Sequence, residues 1–156
     1  MAGRPLDVAI RHPRLRVGRR SVASAIALLD GAARSFRGGC PQGELSVAFL
    51  TDASLAGLHD RYLSDASVTD VITFGGDPAH GMAGEICVSV DAAARRAGRA
   101  RAAFSREMTL YLVHGWLHLA GYDDREPGAR RSMRGAERRA MRLLALSRAV
   151  PPFKLA

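Results

Sequence analysis

The segment of residues 105–120 sets the tightest limit on the fold of this chain. It has the pattern of a single helix that is apolar almost all round. The apolar residues that cover most of its surface are Met108, Leu110, Leu112, Val113, Trp116, Leu117 and Leu119. A helix without a polar face must be covered by other elements, so this one belongs in the core. Gly121 follows it and is expected to end it.

The segments on either side alternate between strand and helix patterns. The predicted strands are residues 6–11, 44–50, 69–74 and 85–90, and the predicted helices are residues 17–34, 52–63, 91–100, 105–120 and 130–148. Asp52 and Asp91 are the expected N-caps of the second and third helices, and a Pro-Pro tail follows the last. We therefore expect one α/β (α+β) domain over residues 1–156, with a small mixed β-sheet of about four strands packed with about five helices.

The charge distribution favours a polyanionic partner. The net charge is +8, and the basic residues form three clusters around a neutral-to-acidic middle. Solvated helix faces would explain any one cluster, but three clusters together favour nucleic acid. The clusters are Arg11, Arg14, Arg16, Arg19 and Arg20; Arg95, Arg96, Arg99, Arg101 and Arg106; and Arg125, Arg130, Arg131, Arg134, Arg138, Arg139, Arg142 and Arg148, which face only Glu126 and Glu137.

No segment predicts export or membrane insertion. Arginines come before any apolar stretch of signal-peptide length, and His114 and His118 interrupt the most apolar stretch, residues 108–120. Cys40 and Cys87 lack a C-x-x-C partner, which predicts two free thiols in a reduced compartment. We expect a cytoplasmic protein without a membrane partner.

His114 and His118 are the strongest indication of chemistry. Residues four apart lie on the same helix face, so both imidazoles can reach one ion. Alternatively, each could be a core histidine with its own hydrogen-bond partner. On this apolar helix an unpartnered polar group would cost about 1 to 3 kcal/mol, and a shared metal satisfies both imidazoles at once.

Gly121 and Asp124 extend the pair into the pattern H-x-x-x-H-x-x-G-x-x-D. Glycine can take the left-handed conformation that turns the chain back, so Asp124 can return to the same ion. Two histidines, one carboxylate and an open position are typical of hydrolytic zinc sites, which predicts one Zn²⁺ per chain on His114, His118 and Asp124. Asp123 is expected to support or cap this segment. His12, His59 and His80 are expected on the surface or in loops.

Metzincin peptidases share this spacing and are the first alternative. Those enzymes place a glutamate directly after the first histidine, where it acts as the general base. Gly115 occupies that position here and has no side chain to accept a proton. A peptidase is therefore disfavoured.

The motif at residues 114–123 resembles the signature H-G-x-L-H-L-x-G-Y-D-H of the YbeY endoribonucleases. Residues 69–74 (TDVITF) are similar to a strand of that family, Gly84-Glu85-Ile86 resembles another strand start, and the C-terminal helix with Met133 also fits. The resemblance covers about residues 45–144. It implies a single α/β domain, a metal in the histidine site and single-strand-specific RNA cleavage in small-subunit maturation and quality control.

Two positions depart from the family pattern. Asp124 stands where the motif ends in a third histidine, and a carboxylate remains a competent ligand. The family arginine just before the TDVITF strand falls on Leu63, and Arg61 lies close enough to substitute for it.

Three hypotheses of function follow. The leading one is a zinc-dependent endoribonuclease acting on ribosomal RNA and the small ribosomal subunit, with no DNA partner expected. The sequence assigns no catalytic residue beyond the metal site. The second is a ribosome-assembly or RNA-binding factor whose metal is mainly structural, and the third is a hydrolase of another substrate. An exchangeable metal-bound water separates the first from the second, because structural zinc is usually saturated by four protein ligands.

Overall fold

The computed structural model describes residues 3–63 and 70–156, without the side chains of residues 59–63. The strands are β1 Leu6–Ile10, β2 Leu15–Arg16, β3 Glu44–Leu50, β4 Val71–Asp77, β5 Met82–Ser89 and β6 Lys154–Leu155. The helices are α1 Arg19–Gly31, α2 Asp52–Leu63, α3 Val90–Ala97, α4 Arg101–Leu119 and α5 Pro127–Leu146. The predictions for His59, Arg61 and Leu63 concern side chains outside the described residues, and Thr69 lies outside them altogether.

Four strands form a mixed sheet in the order β1-β3-β5-β4. The strands β1, β3 and β5 are parallel, and β4 pairs antiparallel with β5 along the edge. Four strands with five helices confirm the predicted α/β class. A second, two-stranded sheet joins β2 to β6, where the sequence indicated only a tail.

Helix α4 is the centre of the packing, as its composition predicted. It contacts α3, α5, β4, β5 and β6, and Met108, Leu112 and Trp116 are fully buried. Trp116 packs edge-on against Phe36, with ring centroids 5.6 Å apart, and donates from Nε1 to Asp30. Among the described residues, the two histidines near the C-terminus of α4, His114 and His118, line one cleft. None of the helices that the structure describes is long and apolar enough to cross a membrane.

Two predicted N-caps were wrong by a few residues. Thr51 caps α2, because its Oγ1 accepts from the Ser54 amide at 3.2 Å. Ser89 caps α3 in the same way, with its Oγ accepting from the Ala92 amide at 3.0 Å. Hydroxyls one to two positions upstream fit the cap geometry, so Asp52 and Asp91 fall in the first helical turns instead.

The two displaced aspartates join elements at the carboxyl ends of the parallel strands. Asp91 accepts the Asp52 amide at 2.9 Å and contacts His12 Nε2 at 2.8 Å. Asp52 in turn binds the Ser89 hydroxyl and Arg95. The expectation for His12 was therefore half right, because it lies in a loop but is only 9% exposed.

Candidate metal centre

Helix α4 brings the two histidines of the motif face to face. Their Nε2 atoms are 3.0 Å apart, and the rings cross at 80°. Both side chains are only partly exposed, at 19% for His114 and 24% for His118. One helical turn thus places two imidazole nitrogens at a single point reachable from solvent.

The turn after α4 returns the chain to that point. Gly121 has φ of +106°, in the left-handed region, and its amide donates to the His118 carbonyl at 3.0 Å. The Tyr122 amide donates to the Leu117 carbonyl at 3.0 Å, which completes a Schellman motif. Asp124 then lies with Oδ2 3.4 Å from His114 Nε2 and Oδ1 3.7 Å from His118 Nε2.

Asp123 does not belong to this group. Its Oδ1 accepts the Asp124 amide at 2.7 Å, and Arg125 Nε lies 3.7 Å from the same oxygen. The carboxylate therefore braces the turn that presents Asp124, consistent with the supporting role expected for it.

Glu137 is the site residue that the sequence reasoning missed. It lies on α5, is 5% exposed, and its Oε2 is 2.7 Å from His114 Nδ1. Burial would raise the pKa of Glu137, but hydrogen bonds from His114 and Arg134 outweigh it and hold the pKa below its ordinary value. A charged carboxylate can only accept hydrogen bonds, so Glu137 favours the tautomer of His114 that carries its proton on Nδ1. The lone pair of His114 Nε2 is then available to a ligand in the site.

A signal for Glu137 was present in the sequence. Met133, Ala140 and Leu144 are fully buried on α5, and Glu137 falls in the same row, four residues after Met133. A carboxylate in the buried row of an amphipathic helix needs a partner, which the nearest metal motif supplies.

His118 is held neutral by its surroundings. Burial and the neighbouring His114 lower its pKa, and Asp124 and Asp123 oppose them only in part. A neutral imidazole is the form that binds a metal.

The three side chains fit a metal ion. One ligand atom from each of His114, His118 and Asp124 lies within 4.8 Å of the others, which occurs in no other His, Cys, Asp or Glu group among the described side chains. Ligands of tetrahedral zinc at about 2.0 to 2.2 Å from the ion are about 3.3 to 3.6 Å apart. The observed separations of 3.0, 3.4 and 3.7 Å bracket that spacing.

Other candidate ligands lie elsewhere. Cys40 and Cys87 are buried free thiols, as predicted, and burial raises their pKa values to about 11 and about 12. His80 pairs with Asp77 on the surface, and His12 pairs with Asp91. Among the described side chains, the candidate site therefore offers two nitrogens and one carboxylate.

The group opens into a cleft of about 450 Å³. Asp70, Arg96, Glu107, Tyr111 and Arg134 also line it, along with Glu137. Burial raises the pKa of Tyr111 to about 12, and the Asp70 and Glu107 carboxylates add to this, so its hydroxyl stays protonated. The cleft combines the candidate metal group, His114, His118 and Asp124, with both acidic and cationic side chains.

Comparison with known proteins gives one consistent family. The model of the family "Endoribonuclease YbeY" matches residues 18–145. Proteins of that name from Phocaeicola vulgatus, Anaeromyxobacter sp. and Chlamydia abortus are 32, 35 and 39% identical over 104, 126 and 110 residues. These alignments cover 67, 78 and 65% of this chain, and 75, 62 and 69% of those relatives.

A solved structure resembles the fold. The solution structure of TM1509 from Thermotoga maritima matches with a TM-score of 0.58 at 20% identity, over 92% of each chain. The likeness therefore extends over almost the whole fold.

Proposed function

Because this chain belongs to the YbeY endoribonuclease family, we propose that it is a metal-dependent endoribonuclease that cuts single-stranded regions of ribosomal RNA. The observation that carries the proposal is the convergence of two Nε2 atoms and one carboxylate in the cleft. Small-subunit maturation and quality control is the proposed setting, in the cytoplasm and without a DNA or membrane partner.

Zinc is the proposed ion, held by His114, His118 and Asp124. Imidazole and carboxylate ligands at these separations suit it. When bound, zinc supplies a Lewis acid for a phosphoryl oxygen and lowers the pKa of its bound water. Glu137 orients His114 by accepting from Nδ1, and Asp123 braces the turn that carries Asp124.

The peptidase alternative conflicts with the packing around the histidines. A Cβ on residue 115 would lie 2.4 Å from Ile86 Cγ2, so the glutamate that such enzymes need there has no room. Three protein ligands also leave a position open for water, which favours an enzyme over a factor with a purely structural zinc.

Metal analysis and RNA cleavage test the proposal together. The purified chain should carry about one zinc ion and cut a single-stranded ribosomal RNA fragment more readily than its duplex form. His114→Ala and His118→Ala should lose both the zinc and the cleavage. His80→Ala is the matched control, because His80 is exposed outside the cleft, and it should behave as the parent does.

Each negative result has a distinct meaning. Unchanged zinc content in both His114→Ala and His118→Ala would rule out this site. A zinc-loaded parent that binds ribosomal RNA but never cuts it would instead favour the assembly-factor hypothesis.

A further inference from the structure

The cleft around the proposed metal site is rich in carboxylates. Asp70, Glu107, Asp124 and Glu137 line it, whereas its described cationic side chains are Arg96 on α3 and Arg134 on α5. The proposed zinc ion would offset part of this negative charge, and an arginine at the reacting phosphate would offset more of it. Which arginine reaches that phosphate therefore matters for catalysis as well as for binding.

Arg134 is connected to the metal group by a short chain of hydrogen bonds. Its Nη1 donates to Glu137 Oε1 at 3.0 Å and reaches Oε2 at 3.4 Å. The same Oε2 lies 2.7 Å from His114 Nδ1. Because Glu137 is 5% exposed and bonded on both sides, it holds the guanidinium at the wall of the cleft.

The rest of the guanidinium is available for a ligand. Among the described residues the contacts of Arg134 involve Nη1, and 60% of its side chain is exposed. Nη2 and Nε remain as planar donors, an arrangement that matches two oxygens of a phosphate. An arginine held at one nitrogen loses less conformational freedom on binding than an unanchored one.

We propose that Arg134 binds the non-bridging oxygens of the phosphodiester that is cut, while Glu137 holds its Nη1. The assignment rests on the proposed endoribonuclease function and makes Arg134 a catalytic residue of it. The phosphate gains negative charge in the transition state, so donors placed at its oxygens bind that state more tightly than the ground state.

Arg138 provides the matched control. It lies four residues later on the same helix and is exposed, but it does not line the cleft. Both residues present one positive charge on one helix face, so a general electrostatic effect would make their substitutions equivalent. A specific role for Arg134 predicts that its substitution lowers cleavage more than the substitution of Arg138 does.

The test compares Arg134→Ala, Arg134→Lys and Arg138→Ala as zinc-loaded proteins. Arg134→Ala should lower kcat for single-stranded RNA by about 10²- to 10³-fold with KM changed only a few-fold. Arg134→Lys should recover part of that loss, because it restores the charge without the fork. Arg138→Ala should keep kcat within about threefold of the parent.

Two further measurements do not depend on cleavage. Inorganic phosphate should bind the zinc-loaded Arg134→Ala protein about tenfold more weakly than the parent, and Arg138→Ala equally well. Zinc affinity, measured against a chelator, should change less than about threefold in Arg134→Ala, because the Arg134–Glu137 pair is largely exposed on the arginine side.

These outcomes separate the inference from the function. Failure of the parent to cut RNA would refute the endoribonuclease proposal. The phosphate-binding measurement would still show whether Arg134 binds a phosphate group. If the parent cuts RNA and Arg134→Ala retains both kcat and phosphate affinity, the inference is wrong. Loss of zinc from Arg134→Ala would also overturn it, since Arg134 would then act through the metal ligands.

Discussion

Gly115 lies between the two histidines on α4, and its close packing against the sheet leaves no room for a side chain at this position. A Cβ there would lie 2.4 Å from Ile86 Cγ2 and 3.3 Å from Thr73 Cγ2. Helix α4 therefore approaches β5 and β4 closely at the turn that carries the metal group. The position that supplies a general base in peptidases is occupied here by the sheet.

Gly115→Ala should destabilise the fold even though alanine is the better helix former. Overpacking costs about 1 to 3 kcal/mol, and the helix propensity of alanine returns about 1 kcal/mol of that. Urea unfolding should show a lower midpoint, and Gly115→Ala should cost less stability in an Ile86→Ala background than in the parent.

Gly135→Ala is the control for that substitution. Gly135 lies inside α5, and an added Cβ would meet only the flexible ends of Arg139, at 3.6 Å, and Arg138, at 4.0 Å. This variant should be stabilised by about 0.5 to 1 kcal/mol. Equal effects at both glycines would show that the contact with Ile86 is not the cause.

The two aspartates after the turn should differ sharply in zinc binding. Asp124→Ala should lose zinc and RNA cleavage together, because its carboxylate lies 3.4 Å from His114 Nε2. Asp123→Asn should lose far less zinc, since an amide oxygen can still accept the Asp124 amide. The zinc dissociation constant of each variant is the measurement. Tight binding in Asp124→Ala with weak binding in Asp123→Asn would reverse the assignment.

At the scale of single residues, the sequence predicted those candidate site residues that lie together in one short segment. His114, His118 and Asp124 meet because helix periodicity and one glycine turn are local properties. Glu137 was missed because its contact with His114 spans 23 residues and depends on how α5 packs against α4. Local spacing carries no information about that packing.

At the scale of single elements, α5 carries two separate faces. Its buried residues include Met133, Glu137 and Leu144 and pack towards α4. On the exposed side, arginines recur at spacings of three, four and four residues, which places them in one row. This arginine row consists of Arg131, Arg134, Arg138 and Arg142, and it passes the cleft at Arg134.

RNA affinity should depend on the two ends of the arginine row. Changing Arg131 and Arg142 together to Gln should weaken binding of single-stranded RNA and reduce the salt slope by about 1.4, because each phosphate contact on a single strand contributes about 0.7. Fluorescence anisotropy over a range of salt concentrations gives both quantities.

A paired substitution at the far end of α4 serves as the control. Arg99 and Arg101 are exposed, and Arg101 lies about 20 Å along the helix from His114. Their change to Gln should leave the salt slope close to that of the parent. An equal loss from both pairs would mean that net charge alone drives binding.

Element types were predicted better than element ends. All five predicted helices form, but α4 begins four residues earlier than expected, and α5 begins at Pro127 rather than at residue 130. A proline suits the first turn of a helix, so Pro127 could have been used to predict the start of α5. The caps at Thr51 and Ser89 were missed because both are ordinary strand-end residues until the next helix is placed.

At the scale of the whole molecule, the alternation of strands and helices predicted the layers but not the strand order. In the sheet, β4 occupies the edge and β5, which comes later in the chain, fills the position between β3 and β4. The β2–β6 pair could not be predicted, since strands of two residues have no periodicity and lie at opposite ends of the chain.

The segment that contains β6 is part of the core, and Phe153 is the residue that makes it so. Phe153 is fully buried, its ring meets that of Phe49 edge-on at 5.3 Å, and its carbonyl accepts from the Ser105 hydroxyl at 2.8 Å. Ser105 belongs to α4, so this contact joins the C-terminal segment to the helix that bears the histidines.

Phe153→Ala should therefore destabilise the whole protein by about 3 to 5 kcal/mol, the usual cost of truncating a buried phenylalanine. In a chain of this size each kcal/mol lowers Tm by about 2 to 4 °C, so thermal unfolding should detect the change readily. Lys154→Ala is the control, because Lys154 is exposed on β6, and it should change stability by less than about 0.5 kcal/mol. The metal group lies about 13 Å from Ser105 along α4, so folded Phe153→Ala protein should retain its zinc. A stability equal to that of the parent would mean that the C-terminal segment is not part of the folded core in solution.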